Sequence, residues 1–95
     1  AIRQLPQESL FYALKGDIQI QQKRLKDAET SFSRAIARND GYFYPFLRRG
    51  LIRNQQGRRD AARQDLLRAQ QLAPSAEASN VLGDLELKRG NRKQA

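Results

Sequence analysis

Apolar residues fall at helical intervals through most of the chain. Leu10, Leu14 and Ile18 are spaced by four, with Phe11 and Tyr12 beside them, and Leu25, Ala28, Phe32, Ala35 and Ile36 share one helical face further on. Ala62, Leu66 and Ala69 follow at spacings of four and three, then Val81, Leu82 and Leu85. No stretch alternates apolar and polar residues for long enough to make a strand, so the chain reads as all-α. The spacing predicts five helices and a stub: 7–22, 25–38, 42–56, 58–72, 76–89 and, after Gly90, the start of a sixth that includes Ala95. Breakers agree with these limits. Pro6 suits the first turn of the first helix. Asn39-Asp40-Gly41 is turn chemistry. Pro45 is tolerable only in a first turn. Gly57 and Gly90 stand where helices end in left-handed backbone. Pro74 stops the fourth helix and Ser75 can cap the fifth.

The helices repeat in pairs. Gly16 and Gly50, Ala28 and Ala62, Ala35 and Ala69, Tyr12 and Phe46, and Phe32 and Leu66 are all 34 residues apart. Gly83, Gly90 and Ala95 continue the register one residue short. Such a period is the signature of stacked helical hairpins, stabilised between neighbours rather than around one core. Glycine in mid-helix costs about 1 kcal/mol relative to alanine. The three glycines Gly16, Gly50 and Gly83 are therefore expected to mark close approaches of a neighbouring helix. Ala28 and Ala62 would face two of them, with Phe32 and Leu66 filling the space beyond. The organisation expected is one module: 1–8 as lead-in or the end of a preceding repeat, 9–42 and 43–75 as full repeats, and 76–95 as a truncated third. The module reads as a fragment of a longer protein.

These positions resemble the tetratricopeptide repeat (TPR) family. The resemblance is carried by Gly16 with Ala28, Phe32 and Ala35, by Gly50 with Gly57, Ala62, Leu66, Ala69 and Pro74, and by Leu82-Gly83 with Gly90 and Ala95. Tyr12 and Phe46 replace the usual Trp or Leu, and Lys23 and Asp40 stand where Gly and Pro are usual. The resemblance implies a right-handed solenoid whose first helices line a concave groove for a peptide or partner segment. Carried over by position, repeat one supplies Leu10, Ala13, Leu14, Asp17, Ile20 and Gln21 to the groove. Repeat two supplies Tyr44, Leu47, Arg48, Leu51, Asn54 and Gln55. Glu77, Asn80, Val81, Asp84, Leu87 and Lys88 come from the third.

The partner-binding set is taken as Asp17, Ile20, Tyr44, Leu47, Arg48, Leu51, Asn54, Glu77, Asn80 and Asp84. Leu47 and Leu51 read equally well as packing between repeats, and Tyr44 is favoured for contact by its polar tip. The family's best-known groove is a cationic clamp for carboxylates. Ala13, Asp17, Leu51, Glu77 and Val81 hold its places here, which argues against that use. Shorter segments, Ala13–Asp17, Arg49–Leu51 and Ala61–Leu66, resemble the C-terminal TPR tails of bacterial cell-envelope zinc metallopeptidases. That likeness implies a periplasmic substrate- or partner-binding tail, with the cytoplasm as the alternative compartment.

Composition narrows the chemistry. The chain has no Cys and no His, which removes thiolate catalysis, disulfides and the commonest metal ligand. No catalytic constellation, metal site or cofactor is expected. No apolar run approaches the ~20 residues of a membrane span. The net charge is +8. Arg24 and Arg58, and Arg34 and Arg68, keep the repeat spacing and should form rows on the convex side. Pairs such as Asp65 with Arg68 would make that face a solvated one, and base-stacking aromatics are missing from it, so nucleic acid is disfavoured. Self-association is the third class, through the edge Val81, Leu82 and Leu85.

Overall fold

A computed structural model describes residues 7–94, with side chains described through residue 87. The lead-in 1–6, Pro6 included, and Ala95 lie outside the described residues. Five helices occur in the order α1 (Gln7–Gln21), α2 (Leu25–Arg38), α3 (Phe43–Gln55), α4 (Arg59–Leu72) and α5 (Ala76–Gln94), with no strand among the described residues. The fold is an all-α helical-repeat solenoid. α1 packs on α2 and α3 on α4, with smaller interfaces joining α2 to α3 and α4 to α5, and the molecule measures 49 × 33 × 19 Å.

The core is serial. Ala13, Ala28, Phe32 and Ile52 form one buried cluster drawn from α1, α2 and α3. Phe46, Leu47, Ala62, Leu66, Ala69, Ala78 and Leu85 form the next, from α3, α4 and α5. Each helix pair is thus finished by the first helix of the pair after it, as a stack of repeats requires.

The expected close approaches occur at two of three glycines. A Cβ on Gly16 would lie 2.7–2.9 Å from the Phe32 ring, and one on Gly50 would lie 2.9 Å from Leu66 Cγ. Phe32 and Leu66 are both fully buried, so neither has room to yield. At Gly83 no atom lies within 4 Å of such a Cβ. This corrects the third expectation: α5 has no following helix folded onto it among the described residues.

For the same reason Gly90 does not end α5, which continues to Gln94. A glycine in mid-helix costs about 1 kcal/mol, less than the gain from several further helical hydrogen bonds when no packing partner turns the chain back. The sixth-helix stub is therefore not seen within residues 91–94.

The hairpin turns show what Gly57 does. It adopts φ +81°, and Lys23, at the corresponding place one repeat earlier, is forced to φ +62°. No atom lies within 4 Å of a Cβ built on Gly57, so backbone conformation alone selects glycine. Lys23 then bears a left-handed penalty of about 1 kcal/mol. Lys23→Gly is expected to raise unfolding free energy by about 0.5–1 kcal/mol and Gly57→Ala to lower it by a similar amount. Urea titration of both variants checks this, and equal signs would refute it.

Ser75 caps α5, its Oγ accepting the Ala78 N–H at 3.2 Å. The α1 stripe faces away from α2. The buried residues of α1 are Ser9, Ala13, Gly16 and Gln19, whereas Leu10, Phe11, Leu14 and Ile18 are 37–64% exposed. Small residues let α2 approach α1 closely, and two buried polar groups find partners there. Ser9 Oγ donates to the Ala35 carbonyl at 3.2 Å, and Ser31 Oγ donates to Gln19 Oε1 at 2.6 Å.

Candidate functional site

α1 and α3 run side by side on one face, joined by their own polar residues. The Tyr44 hydroxyl donates to the Asp17 carboxylate, with its oxygen 2.9 and 2.8 Å from the two acceptors. Arg48, one turn along α3, holds its Nε 3.8 Å from Asp17 and its guanidinium carbon 6.0 Å from the Tyr44 ring centroid. That Nε is buried and has no hydrogen-bond partner. Tyr44 also stands edge-on to Phe32 at 6.3 Å and stacks on Tyr42 at 6.1 Å. Three of the expected groove residues, Asp17, Tyr44 and Arg48, are therefore brought together as one half-buried cluster.

The cluster has a pH signature. Burial, and then the hydrogen bond to the Asp17 carboxylate, push the Tyr44 phenol from its ordinary 10 up to about 12. A phenol held protonated in the fold contributes stability that is complete below pH 10 and is lost as pH rises through about 12. Tyr44→Phe is expected to flatten stability between those pH values. Urea midpoints at stepped alkaline pH check this, and an unchanged slope would refute it.

The other expected residues separate. Leu47 is 6% exposed and belongs to the second core cluster, which decides its role as packing between repeats and removes it from the groove surface. Ile20 and Leu51 are half-buried, packed against the first and second clusters respectively. Asn54 is half-buried, while Glu77, Asn80 and Asp84 are exposed on α5. Lys88 lies outside the residues whose side chains are described. Leu10, Leu14 and Leu87 are exposed at their groove places, and Leu87 is 70% accessible.

The expected edge of Val81, Leu82 and Leu85 is not open. Leu85 is buried at 3%, and Val81 and Leu82 pack against the α3–α4 core. Helix α5 turns its apolar side inward because α4 presents Ala62, Leu66 and Ala69 to it.

The charge arrangement differs from the sequence expectation. Asp65 does not pair with Arg68. It is 4% exposed and accepts from Arg49 at 2.8 and 2.7 Å and from Arg53 at 3.0 Å. Arg53 also donates to Glu29 on α2 at 2.9 Å, Arg49 donates to Ser33 at 3.0 Å, and Arg58 joins Glu29 at 2.8 Å. Burial pushes the Glu29 carboxyl up, but the hydrogen bonds from Arg53 and Arg58 outweigh it and hold the group below its ordinary value. The chain Ser33–Arg49–Asp65–Arg53–Glu29 links α2, α3 and α4.

Sequence reasoning missed this network. Its signal was Arg49 and Arg53, four residues apart on a helix face that also carries buried positions. A second device was equally visible in the 34-residue spacing. Arg34 lies 6.0 Å from the Tyr12 ring centroid and Arg68 lies 5.9 Å from that of Phe46, a repeated cation–π contact. Together with Arg24 paired to Asp27 and Arg38 to Glu8, these contacts engage much of the basic outer face within the fold itself.

Among the described residues no group of three or more His, Cys, Asp or Glu is placed to hold a metal ion, and no helix is long and apolar enough to cross a membrane. No curated protein matches the chain. The tetratricopeptide repeat profile matches residues 10–42 and 45–75, which are the two hairpin repeats with their 34-residue register. Repeats of this kind are non-catalytic modules that mediate protein–protein interaction. With the profile covering both stacked hairpins, the chain belongs to the tetratricopeptide repeat family.

Proposed function

We propose that the face formed by α1, α3 and α5 is a groove that binds an extended peptide or partner segment. The observation that carries this reading is the Asp17–Tyr44–Arg48 cluster, which joins α1 to α3 and leaves an aromatic face and a guanidinium half-exposed between them. Half-buried Leu51 and Ile20 flank it, and the exposed Glu77, Asn80 and Asp84 supply a polar rim. An aromatic anchor with an arginine beside it, in a polar surround, is the composition of an interface hot spot. The Tyr44 hydroxyl is engaged by Asp17, so its ring rather than its polar tip is the contact offered.

Selection from a library of random linear peptides on the immobilised 95-residue chain tests the reading. Tyr44→Ala and Leu51→Ala are expected to weaken the selected peptides by about tenfold or more. Arg59→Ala, at the start of α4, is expected to leave them unchanged. Peptides insensitive to both groove substitutions in folded variants would overturn it. The likeness of segments 13–17, 49–51 and 61–66 to envelope zinc-peptidase tails supports a finer version. In that version the groove presents unfolded envelope proteins to a periplasmic peptidase, and it requires an H-E-x-x-H helix in the same reading frame.

A further inference from the structure

We propose that one position in each repeat, held by Gln19, Arg53 and Glu86, encodes the order in which the hairpins stack, so that each junction accepts its own helix and repels the wrong one. This goes beyond the groove reading and uses none of its residues. The three residues are in register, 34 and then 33 positions apart, on α1, α3 and α5. They are neutral, basic and acidic in turn.

Each meets a matching place on the second helices of the hairpins. Within a hairpin, Ser31 donates to Gln19 at 2.6 Å, and Arg53 donates at 3.0 Å to Asp65, which stands 34 residues beyond Ser31. Across a junction, Arg53 of α3 meets Glu29 of α2 at 2.9 Å, and Glu86 of α5 meets Arg63 of α4 at 4.0 Å. Glu29 and Arg63 are again 34 residues apart. The two junctions therefore use the same pair of places with the charges exchanged.

Shape does not tell these junctions apart. Helix α2 contributes Ala28 and Phe32 to its junction with α3, and α4 contributes Ala62 and Leu66, at the same places, to its junction with α5. Faces so alike invite a helix into the wrong position, a characteristic failure of repeat arrays. Charge separates them. A helix α5 stacked on α2, of its own or another copy, would set Glu86 against Glu29, which is only 15% exposed and would have lost Arg53. The α3 of another copy stacked on α4 would set Arg53 against Arg63, whose Nε is already buried without a hydrogen-bond partner. Leaving such groups unpaired and facing a like charge is costly, and discrimination between partners of similar shape commonly rests on a repulsive element of this kind.

Arg63→Glu and Glu86→Arg together make the two junctions alike. This double variant is expected to keep the parental urea midpoint, since the pair survives with its charges exchanged, but to refold badly. After rapid dilution from urea at high loading, sedimentation should find about tenfold or more chain in mis-stacked dimers and larger species than in the parent. Arg63→Gln with Glu86→Gln introduces no reversed charge and is expected to fold, and to mis-stack to an intermediate extent. Glu86→Arg alone sets like charges at a correct junction. It should cost the α5 amides roughly tenfold in hydrogen-exchange protection, and adding Arg63→Glu should return it. Both double variants refolding as cleanly as the parent, or α5 protection unchanged by Glu86→Arg, would each overturn the proposal.

Discussion

Phe32→Ala is expected to lower the unfolding free energy by about 3–5 kcal/mol, the usual range for a fully buried phenylalanine. The ring has no exposed surface, packs edge-on to Tyr44, and lies where a Cβ on Gly16 would come within 2.7 Å. It therefore holds α1, α2 and α3 together at one point. A chain of this size has a total stability of only about 5–14 kcal/mol, so the variant is expected to lose much of its first hairpin at 37 °C. Circular dichroism during urea titration measures the effect.

A double-mutant cycle isolates the ring's contact with the glycine. Gly16→Ala alone should destabilise by about 1–3 kcal/mol through overpacking. In a Phe32→Leu background the same substitution should cost far less, because the atoms it strikes are gone. Simple additivity would refute the close-approach account of Gly16.

Asp65→Ala is expected to lose about 3–5 kcal/mol, the range for removing one partner of a buried ion pair. Asp65 is 6% exposed at its side chain, and Arg49 and Arg53 are 16% and 18% exposed. Deleting the carboxylate strands two guanidinium groups away from water. Arg53 retains Glu29, and Arg49 retains only Ser33 among its hydrogen-bond partners. Arg49→Met should therefore be destabilising in the parent chain and restoring in the Asp65→Ala background. Urea midpoints across the four proteins give the coupling. A restoring effect in neither background would show that Asp65 acts by packing alone.

The two effects lie on different interfaces. Phe32 closes the first hairpin and its junction with α3, whereas Asp65 ties α4 to α3 and, through Arg53 and Glu29, reaches α2. Loss at either site should loosen the stack locally, since stability in such arrays is a sum of neighbour terms. Hydrogen exchange in the two variants is expected to show α1–α2 amides most affected by Phe32→Ala and α4 amides most affected by Asp65→Ala.

Helix existence, order and most ends were legible from local chemistry. Apolar spacing, Pro45, Pro74 and Gly57 act within a few residues, so their consequences need no knowledge of distant parts of the chain. The close approaches at Gly16 and Gly50 were legible too, because the 34-residue repeat writes each one twice, but the side chains that meet them are Phe32 and Leu66 rather than the expected Ala28 and Ala62.

The groove was legible only in part. Residue type and register placed Tyr44, Asp17 and Arg48 on facing helices, yet could not say that Tyr44 would donate to Asp17 or that Leu47 would be buried. Both outcomes depend on how far α3 rotates against its neighbours. Asp65 was misread for the same reason, since i,i+3 proximity to Arg68 is visible along one helix while Arg49 and Arg53 arrive from another. Local sequence determined where the backbone is helical and where it turns. Only tertiary packing decided which apolar face is covered, and this is why Leu47 is buried in the core rather than open in the groove, and why Gly83 meets nothing while Gly16 meets a ring.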